Sequence, residues 1–244
     1  MNNNVLLDVK NLKKTYWKTE VLKWINFSMW YGEVLWYIWP NWAWKTTTIK
    51  LLLWINDPDN GSEIIIDWRN VHDVKKYNII SYLPEKLNLP EYMTWREYLN
   101  HIMELSELHW LINNDNIDYF IKLTKFPEVS FDKLIKTYSK WMQQRLWLMA
   151  VLINPNNKLV ILDEPVSWLD PLWQSEMIDI IRTLKEQWKS IFITTHQMNE
   201  VEELCDNVIF VKGGLILNKS SVSDAINTYW NMIEYYKAIA SQEM

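Results

Sequence analysis

Glycine is scarce in this chain, with 4 residues among 244. Globular proteins carry ~7% glycine, so turns and close backbone approaches here fall to other residue types. Cysteine is scarcer still. Cys205 stands alone, which excludes an internal disulfide and suits a reducing compartment. No apolar run approaches the ~18 residues that a membrane-spanning helix needs, and the opening MNNNVLLDVK lacks signal-peptide architecture. A basic excess is missing too, and the net charge of −5 argues against a nucleic-acid binder. The expectation is a soluble protein of one large domain, or a domain with a subdomain, long enough to bury a sizeable core. Any membrane role is expected to come through a partner.

Tryptophan is abundant instead, with 17 residues. Glycine and tryptophan together come close to the glycine load usual for this length. Most tryptophans are therefore expected to stand where glycine belongs. A route exists: some bacteria read the codon UGA as glycine and others as tryptophan, so a gene of the first kind translated by the second rule gives this composition. The wealth of Asn, Lys and Ile fits an AT-rich gene.

The rest of the chain is organised around VLWYIWPNWAWKTTTIKLLLW, residues 34–54. VLWYI suits a buried strand, Pro40 and Asn41 signal a turn, and IKLLL suits a buried helix. Strand, loop, Lys45-Thr46 and helix form the layout of a phosphate-binding loop. Lys45 would reach the β- and γ-phosphates, the Thr46 hydroxyl would bind Mg²⁺, and the helix's positive end would face the phosphates. The loop pattern GxxxxGK[ST] asks for glycine where Trp39 and Trp44 stand, and Trp42 interrupts its middle. Glycine is needed because backbone N–H groups must wrap closely round phosphate.

Val5 to Tyr16 reads as a strand and turn. Ile25, Phe27 and Met29 alternate along a half-buried strand, which with EIIID (63–67) predicts an antiparallel sheet. IISYLP (79–84) is a short strand closed by Glu85. Helical spacing runs from Thr94 to about Asn113 and from Asp115 to Lys125. Ser139 can cap a helix that runs through Met149. LVILDEP (159–165) predicts a buried parallel strand that delivers Asp163 and Glu164 at its carboxyl end, where α/β sheets bind ligands. Asp163 can hold Mg²⁺ through water, and Glu164 can polarise a water. A helix is expected from Gln174 to Gln187, then the strand SIFITT (190–195) running into His196. Gly213-Gly214 suits a hairpin turn. The tail from Ser221 reads as helical, with Tyr235, Tyr236 and Ile239 free to dock on the domain or on a partner.

Assembled, these motifs resemble the ATP-binding cassette (ABC) family of transport ATPases from Val5 to Ser221. WPNWAWKTTT is similar to the Walker A loop with three glycines replaced. YSKWMQQR resembles the signature motif, with Trp141 at the glycine position and Met142 for Gln. LVILDEP matches Walker B unchanged, SWLD resembles the D-loop with Trp168 for glycine, and ITTHQMNEVEELCD resembles the switch-histidine region. Trp36, Trp54, Trp68, Trp147, Trp173 and Trp188 also fall where the family commonly has glycine.

The resemblance implies an α/β fold: a P-loop NTPase (RecA-like) core with an antiparallel β subdomain and an inserted α-helical subdomain. Residues 1–221 would form the ATP-binding domain, with the helical subdomain at about 88–150 and a helical tail at 222–244. It implies ATP and Mg²⁺ as cofactors. Tyr16, Trp39, Pro40, Asn41, Trp42, Ala43, Trp44, Lys45, Thr46, Thr47 and Glu85 would surround ATP, with Thr46, Asp163 and Glu85 at the metal. Glu164 and His196 would be catalytic. Ser139, Lys140, Trp141 and Met142 would meet the ATP of a second cassette, and Ser167 and Asp170 would form the D-loop. The implied partners are that second cassette and a transmembrane permease on another chain, with no nucleic acid. The implied place is cytoplasmic, peripheral on the inner face of the membrane. Glu85, where the family expects Gln, resembles exporters. Two other readings stand beside this one: a non-transport ABC ATPase, and a scaffold that has lost nucleotide binding through its tryptophans.

Overall fold

The computed structural model describes residues 4–40, 42–74, 78–86, 88–107, 114–127, 130, 133–167, 170–198 and 202–241. Of residues 42, 43 and 114–116 only the backbone is described.

Two sheets carry the fold. The smaller is antiparallel and built from β1 (Val5–Tyr16), β2 (Thr19–Trp30), β4 (Glu63–Ile66) and β5 (Arg69–Asn70), in the order β2-β1-β4-β5. The larger holds β3 (Val34–Ile38), β6 (Ile80–Leu83), β7 (Leu159–Asp163), β8 (Ser190–Thr194), β9 (Asn207–Lys212) and β10 (Leu215–Ser221), in the order β10-β9-β3-β8-β7-β6. All its pairings are parallel except β9 with β10. Parallel strands covered on both faces read as continuous apolar runs. VLWYI, LVILD and SIFIT are buried at every residue.

Among the described residues the helices are α1 (Trp42–Leu52), α2 (Val71–Val74), α3 (Trp95–Leu105), α4 (Asn114–Thr124), α5 (Lys140–Leu152), α6 (Pro171–Glu186), α7 (Val222–Tyr229) and α8 (Met232–Ala240). Side chains alternate across a strand, so β3 serves two cores. Val34, Trp36 and Ile38 join α5, α6 and the tail helices on one face. Leu35 and Tyr37 join the small sheet and α1 on the other. A third core, centred on Trp95, Leu99, Ile117 and Leu146, holds α3, α4 and α5 together. Cys205 is buried in the first core, and burial pushes its thiol pKa up.

Several ends differ from the sequence reading. The helix expected to reach about Asn113 stops at Leu105: Ser106 caps it and Glu107 turns left-handed at φ 56°. Residues 108–113 lie outside the described ones. The helix expected to end at Met149 continues to Leu152. The helix expected from Gln174 begins at Pro171, because the Asp170 carboxylate accepts the N–H groups of Leu172 and Trp173, both at 3.1 Å. Thr94 and Glu97 cap each other reciprocally at the start of α3. The tail docks on the domain itself: Tyr235 and Ile239 are buried in the first core. Gly213 and Gly214 make the expected hairpin turn with φ 61° and 82°. A side chain at Gly214 would press on the Val21 carbonyl at 2.5 Å. No helix among the described residues is long and apolar enough to cross a membrane.

Candidate functional site

Parallel register decides what meets at the carboxyl edge of the large sheet. Leu162 pairs with Ile193, Asp163 with Thr194, and Trp36 with Ile193. The loop after β3, the acid pair at the end of β7 and the histidine after β8 therefore emerge side by side, where ligands bind in open α/β sheets.

Lys45 lies in the first turns of α1, and its side chain is buried. Its Nζ pairs with Asp163 Oδ1 at 2.9 Å and with Glu85 Oε2 at 3.0 Å. Asp163 Oδ1 also accepts from Thr194 Oγ1 at 2.7 Å, and Asp163 Oδ2 accepts from the Tyr82 hydroxyl at 3.4 Å. Burial, and then the charge of Asp163, push the Tyr82 phenol pKa up. Glu164 sits beside this cluster with 1% of its side chain exposed. Its Oε2 accepts from Ser167 Oγ at 2.6 Å, and its Oε1 lies 2.8 Å from His196 Nδ1. The Glu164 backbone is left-handed, φ 52°, and its N–H donates to the Thr194 carbonyl at 2.8 Å. Such a conformation in a non-glycine residue marks stored strain of about 1–3 kcal/mol, and functional sites are where it collects.

The structure thus gathers Lys45, Glu85, Asp163, Glu164, Ser167 and His196. Thr46 is exposed and Thr47 buried on α1. Pro40 is exposed; Asn41, and the side chains of Trp42 and Ala43, lie outside the description. Tyr16 contacts other groups: its hydroxyl accepts from Asn56 Nδ2 at 2.6 Å, and Lys14 lies 5.2 Å from its ring. Asp170 caps α6, and Trp168 lies outside the described residues. Ser139 caps α5 through the Met142 N–H at 3.4 Å, next to Lys140 at the helix start. Trp141 stacks on Trp173 of α6, ring centroids 4.3 Å apart. The Arg145 guanidinium lies 3.7 Å from the Trp173 ring and pairs with Glu176. It also donates to the carbonyls of Thr124 and Lys125. Burial lowers the Arg145 pKa to about 10, and Glu176 opposes that shift.

Sequence reasoning missed Tyr82, Thr194, Arg145 and Glu176. Tyr82 stands next to Leu83 in a strand that the pattern did find, so its reach toward Asp163 was open to inference from the shared sheet edge. Arg145 and Glu176 meet 31 positions apart and leave no local signal.

Asp163, Glu85 and Thr46 are hard oxygen donors of the kind Mg²⁺ prefers. At the described start of the loop a bulky ring stands where the pattern asks for glycine. Trp39 is buried, stacks at 6.2 Å on Tyr37, and holds its ring 5.1 Å from Lys45 Nζ. A cleft of about 490 Å³, lined by Tyr31, Lys158, Trp188 and Lys189, opens at the amino ends of β7 and β8, the opposite sheet edge.

Residues 22–167 match the family model described as ABC transporter. An uncharacterized ABC transporter ATP-binding protein of Nostoc is 32% identical over 230 residues, which are 91% of this chain and 68% of that protein. One from Methanocaldococcus jannaschii is 32% identical over 219 residues, 89% of this chain and 78% of its own length. Among solved structures, the ATP-binding subunit of an ABC transporter superposes with a TM-score of 0.84 at 24% identity, covering 97% of this chain and all of that one. A dimeric ATP-binding cassette in a post-hydrolysis state, bound to ADP and phosphate, superposes with a TM-score of 0.77 at 20% identity, over 89% of this chain and 99% of that one. These structures share the fold, and the family match spans more than half of the chain. This chain therefore belongs to the ABC transporter family.

Proposed function

We propose that this chain, an ATP-binding and ATP-hydrolysing subunit of an ABC transporter, works on Mg²⁺-ATP and drives a membrane permease carried on another chain. It does so as one of two cassettes, peripheral on the inner face of the membrane, and the exporter class is favoured by Glu85. The observation that carries this reading is the meeting of Lys45, Asp163, Glu164 and His196 at one sheet edge. Lys45 already spans two carboxylates there, so it can exchange them for phosphate oxygens. Glu164 is held by Ser167 and His196 where a buried carboxylate can take a proton from water. Thr46, Asp163 and Glu85 supply the metal's oxygen donors. The domain runs from residue 1 to 221 with a helical part at about 88–150 and a tail at 222–244. Ser139, Lys140, Trp141 and Met142 serve the partner cassette's nucleotide, beside Ser167 and Asp170.

The working form carries glycine at Trp39, Trp42, Trp44, Trp141 and Trp168. Support comes from Trp39, whose ring stands 5.1 Å from Lys45 Nζ, the group that would meet phosphate. The test uses two recombinant proteins, the chain as written and one with glycine at these five positions. The glycine form is expected to bind Mg²⁺-ATP by calorimetry and to hydrolyse it. Glu164→Gln in that form should keep binding and lower hydrolysis by about 10²–10⁴. Equal, tight ATP binding by the chain as written overturns the glycine reading. Hydrolysis unchanged by Glu164→Gln overturns the role given to Glu164.

A further inference from the structure

Six tryptophans outside the phosphate loop lie in backbone conformations that suit glycine. Twelve described non-glycine residues have left-handed φ, and six of them are tryptophan: Trp17, Trp24, Trp54, Trp68, Trp188 and Trp230, at φ 52–77°. Tryptophan is 17 of 244 residues, so its share of these positions far exceeds its share of the chain. Left-handed backbone is unusual for any residue with a Cβ, and Asn and Asp tolerate it better than bulky ones. All four glycines of the chain also have left-handed φ.

Each tryptophan sits in a niche whose geometry asks for glycine. Trp54 and Trp188 follow α1 and α6 at the left-handed cap. The Trp54 N–H donates to Leu51 O and the Ile55 N–H to Lys50 O; the Trp188 N–H donates to Lys185 O and the Lys189 N–H to Leu184 O. Those paired bonds form the Schellman motif, whose left-handed residue is usually glycine. Trp230 ends α7 with its N–H on Ile226 O at φ 77° and ψ −38°, a positive-φ backbone that a residue with a Cβ rarely adopts. Asp67 and Trp68, at φ 51° and 61°, form the two-residue turn between the paired Ile66 and Arg69. A turn left-handed at both positions favours Asp-Gly. Trp17 opens the two-residue turn between the paired Tyr16 and Thr19, where a left-handed first residue favours glycine. Trp24 lies at a register shift of β2, between Leu22 facing Lys14 and Ile25 facing Leu12. A left-handed bulge residue is again typically glycine.

Burial does not compensate for the backbone at five of the six. Trp17 is fully exposed, Trp230 is 89% exposed and Trp188 81%, and Trp24 and Trp68 are more than half exposed. Trp54 is half-buried, packs on the second core and meets the His72 ring edge-on at 5.5 Å. Lys13 lies over the Trp24 ring at 3.8 Å and Tyr31 tilts toward Trp68 at 5.8 Å. Such surface contacts are worth little.

We propose that Trp17, Trp24, Trp54, Trp68, Trp188 and Trp230 are glycines in the polypeptide that the source cell makes, through a codon it decodes as glycine. The exchange is then a property of decoding along the whole chain, not decay of one nucleotide loop, and the protein is not a scaffold that lost its ligand. This inference rests on the reading that the working protein carries glycine in its phosphate loop.

The test is peptide mass analysis of the protein isolated from its source cells. Glycine at more than half of the six positions is expected, each seen as a peptide lighter by an indolylmethyl group exchanged for hydrogen. Tryptophan at half or more overturns the inference. The peptide spanning residues 39–44 is read in the same run. Glycine there with tryptophan at the six sinks this inference alone, whereas tryptophan in both sinks the loop reading too. A recombinant arm measures folding directly. Glycine at all six positions of the chain as written should raise the unfolding midpoint, with about tenfold in the folded-to-unfolded ratio per position. Trp95→Gly, at a buried helical residue, should lower it. A sixfold variant that unfolds no later than the parent also overturns the proposal.

Discussion

Glu164 is the residue on which most constraints converge: a left-handed backbone, a buried carboxylate, and two side-chain partners on different segments. A carboxylate so enclosed depends on its donors. Ser167→Ala removes the hydroxyl at 2.6 Å and leaves one oxygen without that bond. Unpaired buried polar atoms cost about 1–3 kcal/mol. In the glycine form, the substitution should lower the urea midpoint and cut ATP hydrolysis by about tenfold or more, while ATP affinity by calorimetry stays the same. Equal loss of binding would show that Ser167 shapes the nucleotide pocket rather than the carboxylate. The acidic and imidazole groups that meet here were legible because their types are tied to strand ends. LVILDEP names Asp163 and Glu164, and SIFITTH names His196. The Lys45 clamp on Glu85 and Asp163 was not legible, because it joins residues 40 and more positions apart.

Beside the Trp141–Trp173 stack, a guanidinium ties helix α5 to α6. Arg145 reaches Glu176 across the gap and the carbonyls of Thr124 and Lys125 at the end of α4, so three helices meet at one side chain. Its Nε has no partner among the described residues, which makes the remaining bonds matter more. Glu176→Gln leaves the buried cation without its carboxylate. It is expected to cost roughly 2–4 kcal/mol and to raise amide exchange in α5 more than in β7. Uniform exchange in both would mean that the pair supports the whole core and not this joint. Elements were easier to read than their ends. Apolar runs and periodicity located the central strands and the helices, yet α3 stops earlier than its pattern and α6 starts sooner. Helix ends are commonly announced by glycine. In this chain the residues after α1, α6 and α7 that hold left-handed backbone are Trp54, Trp188 and Trp230, so the usual glycine signal is absent from the sequence at these ends.

At the scale of the molecule, two sheets and the helices share cores that meet at β3, and Glu33 stands just before that strand. Its carboxylate accepts from the Trp30 N–H at 2.6 Å and from Asn207 Nδ2 at 2.7 Å. Burial nevertheless raises its pKa above 4.5, with the charge of Asp206 adding to the rise. A folded state that holds a proton more tightly than the unfolded chain is favoured at low pH. This contribution is full below about pH 4.5 and falls as pH climbs through the raised folded value. Glu33→Gln should flatten that part of a urea-midpoint profile, and an unchanged slope would assign the dependence to other groups. The α/β class was legible from the alternation of strand and helix patterns, and the two sheets match that expectation. The antiparallel and parallel sheets were legible as types. Their strand order was not, because order depends on crossovers that no local pattern records.

The lone thiol gives the molecule a built-in chemical clock. Cys205 lies in the core shared by β3, α6 and the tail helices, and its surroundings keep it protonated. Alkylating reagents attack thiolates, so the rate at which an iodoacetamide or maleimide adduct accumulates counts how often that core opens, with no engineered label and no second sulfhydryl to blur the trace.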